Sequence, residues 1–522
     1  MIPPRIGRLA LLLLPSSTHR HSCAAPEQLP RATTITGVRI IDGTGAPSYA
    51  GAVRFVGDSI VAAGPAVEPS PGDFVFDGGG LTLAPGFIDT HSHHDVGLAE
   101  APEARPVVSQ GITTIVAGQD GSHPMPLAAA LDSIEQAPPA VNMAYYAGHG
   151  TIRAAVMGND FQRPATESEV DSMIVLLRRE LAAGAVGLSS GLEYDPGIFS
   201  DPSELLSLAG VTAELGGRYI THIRSEDRWF WEAVDEAVNV GREAGLPVQI
   251  SHLKLAMIPL WGQADSLLSV LDQARASGVD ITADIYPYAY WQSTLTVLFP
   301  DRDFENRAEA ERILREIVKP EGLLIGAFAP DPSYAGMTVA DIAVLRGEDP
   351  ASTLMGLIRE SRDLASERLP DGPEDGVVSA TIESVVATAM DEGDIDTLIA
   401  WEHANICSDG LLNGAHPRGF GAFPRVLGRY VREQGTLTLE DAVRKMTGLP
   451  ARHAGLRRRG AIVPGNHADL VLFDPATVID RSTTDEPHLE SVGIARVWVN
   501  GDVVWSDGQT TGARPGRVLR RR

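Results

Sequence analysis

At 522 residues the chain is long enough to bury a large core, as one big domain or as two to three modest ones. A hydrophobic fraction of 43% with 21% charged residues belongs to a folded globular protein and excludes a disordered one. The formal net charge of -25 argues against nucleic acid and anionic membrane surfaces as partners, and two cysteines, Cys23 and Cys407, are too few for a disulfide framework.

Residues 1–30 differ in character from everything after them. Arg5 and Arg8 precede the apolar run Leu9-Ala10-Leu11-Leu12-Leu13-Leu14, then Pro15 and small polar residues follow, the outline of a secretory signal. Cys23 before Ala24-Ala25-Pro26 hints at a lipid anchor, although Arg20-His21-Ser22 is a poor match to the small apolar residues such a site needs. A periplasmic, secreted or lipid-anchored protein is therefore expected, with a wrongly chosen start and a cytoplasmic protein as the alternative. No later stretch has the roughly 18 uncharged apolar residues of a membrane span.

From Thr34 to about Leu83 short apolar, β-branched runs alternate with turns. Thr34–Ile41 and Val53–Val61 are broken by Asp42-Gly43-Thr44-Gly45, Gly57-Asp58 and Asp77-Gly78-Gly79-Gly80. The same texture returns at the other end, in Ala468–Asp474 and Ala495–Trp505. Residues 34–84 and 455–512 are thus expected to build one small β-sheet domain from both chain ends, flanking a middle of residues 85–454.

That middle alternates strands with helices. Thr166-Glu167-Ser168-Glu169 forms a capping box, Val170, Met173, Ile174, Leu177 and Leu181 recur at helical spacing, and Gly184 ends the helix. Asp201-Pro202 opens the next helix and Gly216-Gly217 closes it; further helices are predicted from about Trp229 to Ala244 and over Leu267–Ala276. Strands are expected at Phe87, Ile112, Asn142, Ala185, Tyr219, Val248, Asp280 and Ala404. Eight strands with helices between them are what a (β/α)8 barrel requires. The stretch from about 300 to 400 is too long for one crossover and reads as a largely helical insertion; a doubly wound open sheet is the rival architecture.

Chemistry enters at Pro85-Gly86-Phe87-Ile88-Asp89-Thr90-His91-Ser92-His93-His94-Asp95. Strand side chains alternate faces, so His91 and His93 point the same way and can reach one ion together, while His94 and Asp95 fall outside that pattern. His222, His252 and Asp409 each fall at the C-terminal end of a predicted strand. In a barrel those ends share one face, so the five residues converge although more than three hundred residues separate them. Singly, each histidine has a bland reading as a strand-end residue bonded to a carbonyl; together they point to one or two divalent ions, zinc above all. Metal-activated water with a carboxylate to move its proton hydrolyses an amide or ester.

These motifs resemble the amidohydrolase superfamily. Gln110-Gly111-Ile112-Thr113-Thr114, Gly148–Arg153, Gly187–Tyr194, Thr221-His222-Ile223-Arg224, Ser251-His252-Leu253-Lys254 and His416-Pro417-Arg418-Gly419, in that order, resemble the D-aminoacylases, or N-acyl-D-amino-acid deacylases, within it. The resemblance implies zinc, a small-molecule substrate, and a barrel with a small β-sandwich. It makes His91, His93, His222 and His252 metal ligands, and Asp409 both ligand and general base. One departure stands out. The family places a metal-binding cysteine in Gly-Asn-Cys-Gly, where this chain has Gly118-Gln119-Asp120-Gly121. Glu193 is the first candidate to replace that cysteine and Asp120 the second. Arg418, then Arg425, are expected to hold the substrate carboxylate, with Lys254, Tyr288 and His149 as further substrate contacts. A cyclic amidase, a dipeptidase or a non-catalytic ligand-binding barrel are the competing functions, and the oligomeric state is not legible.

Overall fold

The computed structural model describes residues 32–368 and 382–521. The segment read as an export signal, with Cys23, lies outside them. Among the described residues no helix is long and apolar enough to cross a membrane.

The chain opens with β1 (Ala32–Ile40), β2 (Tyr49–Val56), β3 (Ser59–Gly64), β4 (Phe74–Asp77) and β5 (Thr82–Pro85). The run predicted as Val53–Val61 is a hairpin, because Gly57 takes a φ of +57° that reverses the chain between β2 and β3. There follow β6 (Phe87–Asp89), β7 (Ile112–Ala117), β8 (Asn142–Tyr145), β9 (Ala147–Gly148), β10 (Gly187–Gly191), β11 (Arg218–His222), β12 (Val248–Ile250) and β13 (Ile281–Ile285). Then come β14 (Tyr290–Ser293), β15 (Leu323–Phe328), β16 (Glu383–Thr388), β17 (Ala404–Ile406), β18 (Leu470–Phe473), β19 (Ile494–Val499), β20 (Asp502–Ser506) and β21 (Gln509–Thr510).

Strands from both chain ends share one sheet, in the order β21-β20-β19-β18-β5-β1-β2-β3 with β4 beside β1. The join is the antiparallel pairing of β18 with β5, Leu470 opposite Pro85. Ile35, Val53, Phe55, Leu83, Leu472 and Trp498 form this sheet's own apolar cluster.

All eight strands expected in the middle are present and lie parallel, β6-β7-β8 in one sheet and β10-β11-β12-β13-β17 in another, where the short β9 is added beside β10. Their runs are buried along their whole length, as in Ile112-Thr113-Thr114-Ile115-Val116-Ala117, because helices cover the outer face. Backbone bonds link the two sheets at both margins. The Val186 N–H donates to the Tyr145 carbonyl at 2.8 Å, and the Asp409 N–H to the His91 carbonyl at 2.9 Å. The helix Glu167–Ala183 carries the predicted capping box, Thr166 with Glu169, and stops at Gly184 with φ +116°. Asp201 caps Pro202–Glu214, accepting from the Ser203 and Glu204 N–H groups.

The insertion departs from expectation. Helices Arg307–Glu316, Val339–Arg346, Pro350–Arg368 and Glu392–Ala400 are there, but β14, β16 and β15 also form an antiparallel sheet. Those strands are short and pair with partners far along the chain, so no local period betrays them.

Candidate metal centre

The end of β6 turns into the site through buried bonds. The Ser408 N–H donates to Asp89 Oδ1 at 2.9 Å and the Ser408 hydroxyl to Asp89 Oδ2, while the His93 N–H donates to the Gly410 carbonyl at 3.0 Å. His91 and Asp409, first and last in the chain order of the site, are thereby stitched side by side. Asp120 is held just as firmly. Gly118 has φ +75° and a Cβ there would lie 2.4 Å from the Tyr146 carbonyl oxygen, so only glycine lets the chain pass. Gln119 then ties the turn to the Thr90 and Val116 carbonyls at 2.9 and 2.8 Å.

Three site residues sit in the left-handed region, Asp120 at φ +51°, His252 at +33° and Asp409 at +49°. For a residue with a Cβ that costs roughly 1–2 kcal/mol. The backbone holding them is fixed by its neighbours, which is how strain persists at a functional site.

Asp120 is the meeting point of two donor groups. On one side His91, His93, Asp120 and Asp409 each offer a ligand atom, all within 4.8 Å of one another. Asp120 Oδ2 is 3.4 Å from His91 Nε2 and 3.2 Å from His93 Nε2, while Asp409 Oδ1 is 3.6 and 3.4 Å from the same atoms. On the other side Asp120 joins His222 and His252 within the same limit; its Oδ1 is 3.6 Å from His252 Nε2, which is 3.1 Å from His222 Nδ1.

The donor set suits a divalent cation. Among the described residues, both ring nitrogens of His91, which is fully buried, and Oδ1 of Asp120 lack hydrogen-bond partners. Buried polar atoms left unpaired are costly, and imidazole nitrogens aimed at carboxylates supply the ligands zinc accepts. The field has the matching sign. Burial lowers the pKa of His93, but its hydrogen bonds to the carboxylates of Asp120 and Asp409 outweigh it and push it up to about 10. Burial opposes ionisation of Asp409 too, yet the Arg418 guanidinium and His252 hold its carboxyl far below the usual range. A pocket that draws protons onto imidazoles also stabilises a divalent ion.

Glu193 meets the site on another side of His222. Its Oε2 lies 3.0 Å from His222 Nε2, the nitrogen turned away from Asp120, and its Oε1 accepts the Glu226 N–H at 2.8 Å. Asp120 is common to the two donor groups above, while Glu193 forms a third group with His222 and Glu226, their ligand atoms again within 4.8 Å of one another. His149 is not brought into the site: fully buried, it pairs through Nε2 with Glu204 at 2.7 Å, a carboxylate that also holds Arg153. Arg425 and Tyr288 are likewise spoken for. Both reach Asp480, at 3.1 and 3.3 Å, and the Arg425 guanidinium stacks on the Tyr288 ring at 4.6 Å.

Arg418 and Lys254 do border the donor groups. Arg418 pairs with Asp409 at 2.6 Å and leaves a buried Nε without an acceptor, its guanidinium 4.7 Å above the Tyr286 ring. Lys254 Nζ lies 2.8 Å from His252 Nδ1 and 5.8 Å from the Tyr286 ring centre. Sequence reading missed two neighbours, Tyr286, whose hydroxyl is buried without a partner, and Glu226, which contacts Lys254 and His252. Tyr286 directly follows β13, where strand-end logic could have found it; Glu226 sits on a loop with no such signal.

Comparison with known proteins agrees with this chemistry. The family model described as "Amidohydrolase family" matches residues 75–321 and 408–505. N-acyl-D-glutamate deacylase of Alcaligenes xylosoxydans xylosoxydans is 39% identical over 93% of this chain and 96% of its own length. D-aminoacylase of the same organism is 35% identical over 93% and 97%. Among solved structures, N-acyl-D-glutamate deacylase of Bordetella bronchiseptica, complexed with zinc and a phosphonate mimic of the reaction's tetrahedral intermediate, superposes with a TM-score of 0.82. It is 36% identical, and the match covers 95% of this chain and 100% of that one.

Proposed function

The chain belongs to the amidohydrolase family, and from that premise we propose that it hydrolyses the amide bond of N-acyl-D-amino acids, releasing a D-amino acid and a carboxylate. The observation that carries this reading is Asp120, a carboxylate shared by one donor group of His91, His93 and Asp409 and another of His222 and His252. Those residues would hold one or two zinc ions. A bound zinc ion supplies a Lewis acid for the scissile carbonyl and lowers the pKa of a water near it. Asp409, ionised and facing the same space, accepts the proton of the attacking water and passes it to the leaving nitrogen.

Substrate binding falls to groups with donors to spare. The substrate carboxylate meets the free Nε of Arg418 and the Tyr286 hydroxyl, while the Lys254 ammonium is engaged by both Glu226 oxygens and by His252 Nδ1. We assign to Tyr286 the contact expected of Tyr288, because the Tyr288 hydroxyl is bonded to Asp480. The strand order supports a finer architecture as well. We read the two parallel sheets as one closed (β/α)8 barrel, since backbone bonds join them at both margins, with the mixed sheet of both chain ends folded into a β-sandwich beside it.

The test is paired hydrolysis of N-acetyl-D- and N-acetyl-L-amino acids by protein of measured zinc content. We expect zinc in the purified protein, cleavage of the D series, loss of activity on chelation and its return with zinc. Zinc without cleavage of either series would refute the deacylase reading, and a protein that binds no metal would refute the mechanism.

A further inference from the structure

A neutral imidazole carries one N–H, and the partner of its outer nitrogen decides which nitrogen is left with a lone pair for a metal. At His252 two opposite partners compete for that outer atom, Nδ1. Lys254 Nζ, a donor only, lies 2.8 Å away; Glu226 Oε1, an acceptor when ionised, lies 3.0 Å away. If Lys254 donated, the His252 proton would sit on Nε2, the nitrogen facing Asp120 and His222, and that nitrogen could not ligate.

Glu226 contacts both. Its two oxygens each lie 2.6 Å from Lys254 Nζ, and Oε1 lies 3.0 Å from His252 Nδ1. Glu226 is itself fixed, its N–H bonded to Glu193, the carboxylate on the outer nitrogen of His222. Each inward-facing nitrogen, His222 Nδ1 and His252 Nε2, is thus backed by a carboxylate on the opposite side of its ring.

We propose that Glu226 is a positioning residue that captures the Lys254 ammonium and so fixes His252 in the tautomer whose Nε2 can bind metal. The proposal rests on the metal-centre reading above. It also explains why a lysine, whose charge repels a cation, is tolerated beside a metal ligand: its charge is answered before it reaches the imidazole.

The experiment measures zinc affinity of metal-stripped full-length protein by competition with a chelator, independently of turnover, with folding checked by circular dichroism. Glu226→Gln should weaken zinc binding by about 10- to 100-fold, because Lys254 is freed to donate to His252. Lys254→Met should leave the affinity within about threefold of the parent, since removing the competing donor does not disturb the tautomer. Glu226→Gln combined with Lys254→Met should bind zinc more tightly than Glu226→Gln alone, the amide oxygen now accepting from His252 Nδ1. A purely structural role for Glu226 would not be relieved by deleting a second side chain. Unchanged affinity in Glu226→Gln, or a double variant no tighter than the single one, overturns the proposal. If Glu226→Gln does not fold, the double variant decides: affinity within tenfold of the parent supports the proposal and a larger loss overturns it. A parent protein that binds no zinc would instead refute the functional reading, so the two failures are distinct.

Discussion

Within the site, each carboxylate differs in what its neighbours allow. Asp409 touches both strand-end histidines and Arg418, while Asp120 touches imidazoles from both donor groups, so the two should fail differently when altered. Asp409→Asn keeps an oxygen toward the histidines but cannot take a proton, and should lower kcat by about 10²–10⁴-fold with much of the zinc retained. Asp120→Ala removes the ligand common to both groups and should lose zinc itself. Metal content and kcat measured side by side would tell them apart; Asp120→Ala with full zinc would assign the shared position to another group.

At the level of elements, the insertion's antiparallel sheet carries a buried acid. Glu383, on β16, accepts the Leu295 N–H at 2.7 Å through Oε1 and has no partner for Oε2 among the described residues. Burial pushes its carboxyl up from 4.5 to about 8, and the single backbone bond only partly offsets this. Between those values the folded state holds a proton that the unfolded chain releases. Its contribution is therefore fully present below about pH 4.5, declines as pH rises, and is lost above about pH 8. Glu383→Gln keeps the acceptor and removes the titration. Its melting temperature relative to the parent should be higher at pH 8 than at pH 5. Parallel curves for the two proteins across that range would show that Glu383 does not titrate there.

Across the whole molecule, the sheet of the two chain ends is fastened to the parallel strands by a buried polar cluster. Asp469 pairs with Arg459 and accepts the Asn500 N–H at 2.7 Å, Asn500 donates to Asn142 of β8 at 2.7 Å, and Asn142 donates back to Asp469 at 3.3 Å. An apolar contact runs alongside, Phe87 of β6 stacking on Phe423 at 5.7 Å and packing on Phe473 of β18 at 6.3 Å. Asp469→Ala would leave the Arg459 guanidinium buried and unpaired, a loss of about 3–5 kcal/mol. Denaturant unfolding measures it, and a loss under about 1 kcal/mol would mean that the cluster is hydrated rather than sealed.

The strand ends bearing His91, His93, His222, His252 and Asp409 were legible in the sequence because period, turn residues and caps are local properties, and a parallel repeat brings every strand's C-terminal end to one face. The capping box at Thr166 and the stop at Gly184 were legible for the same reason. What lay beyond that reach depended on side chains meeting across loops. Asp120 stands between His91, His93 and Asp409 on one side and His222 and His252 on the other because Gly118 and Gln119 lock its turn, while Glu193 meets His222 in a group with Glu226. Tyr286 rather than Tyr288 faces Arg418 because Asp480, nearly two hundred residues later, claims Tyr288. Residue type and spacing set by themselves which chemistry the chain can perform; where each carboxylate and tyrosine stands was decided by packing, since hydrogen-bond partners distant in sequence leave no periodic trace.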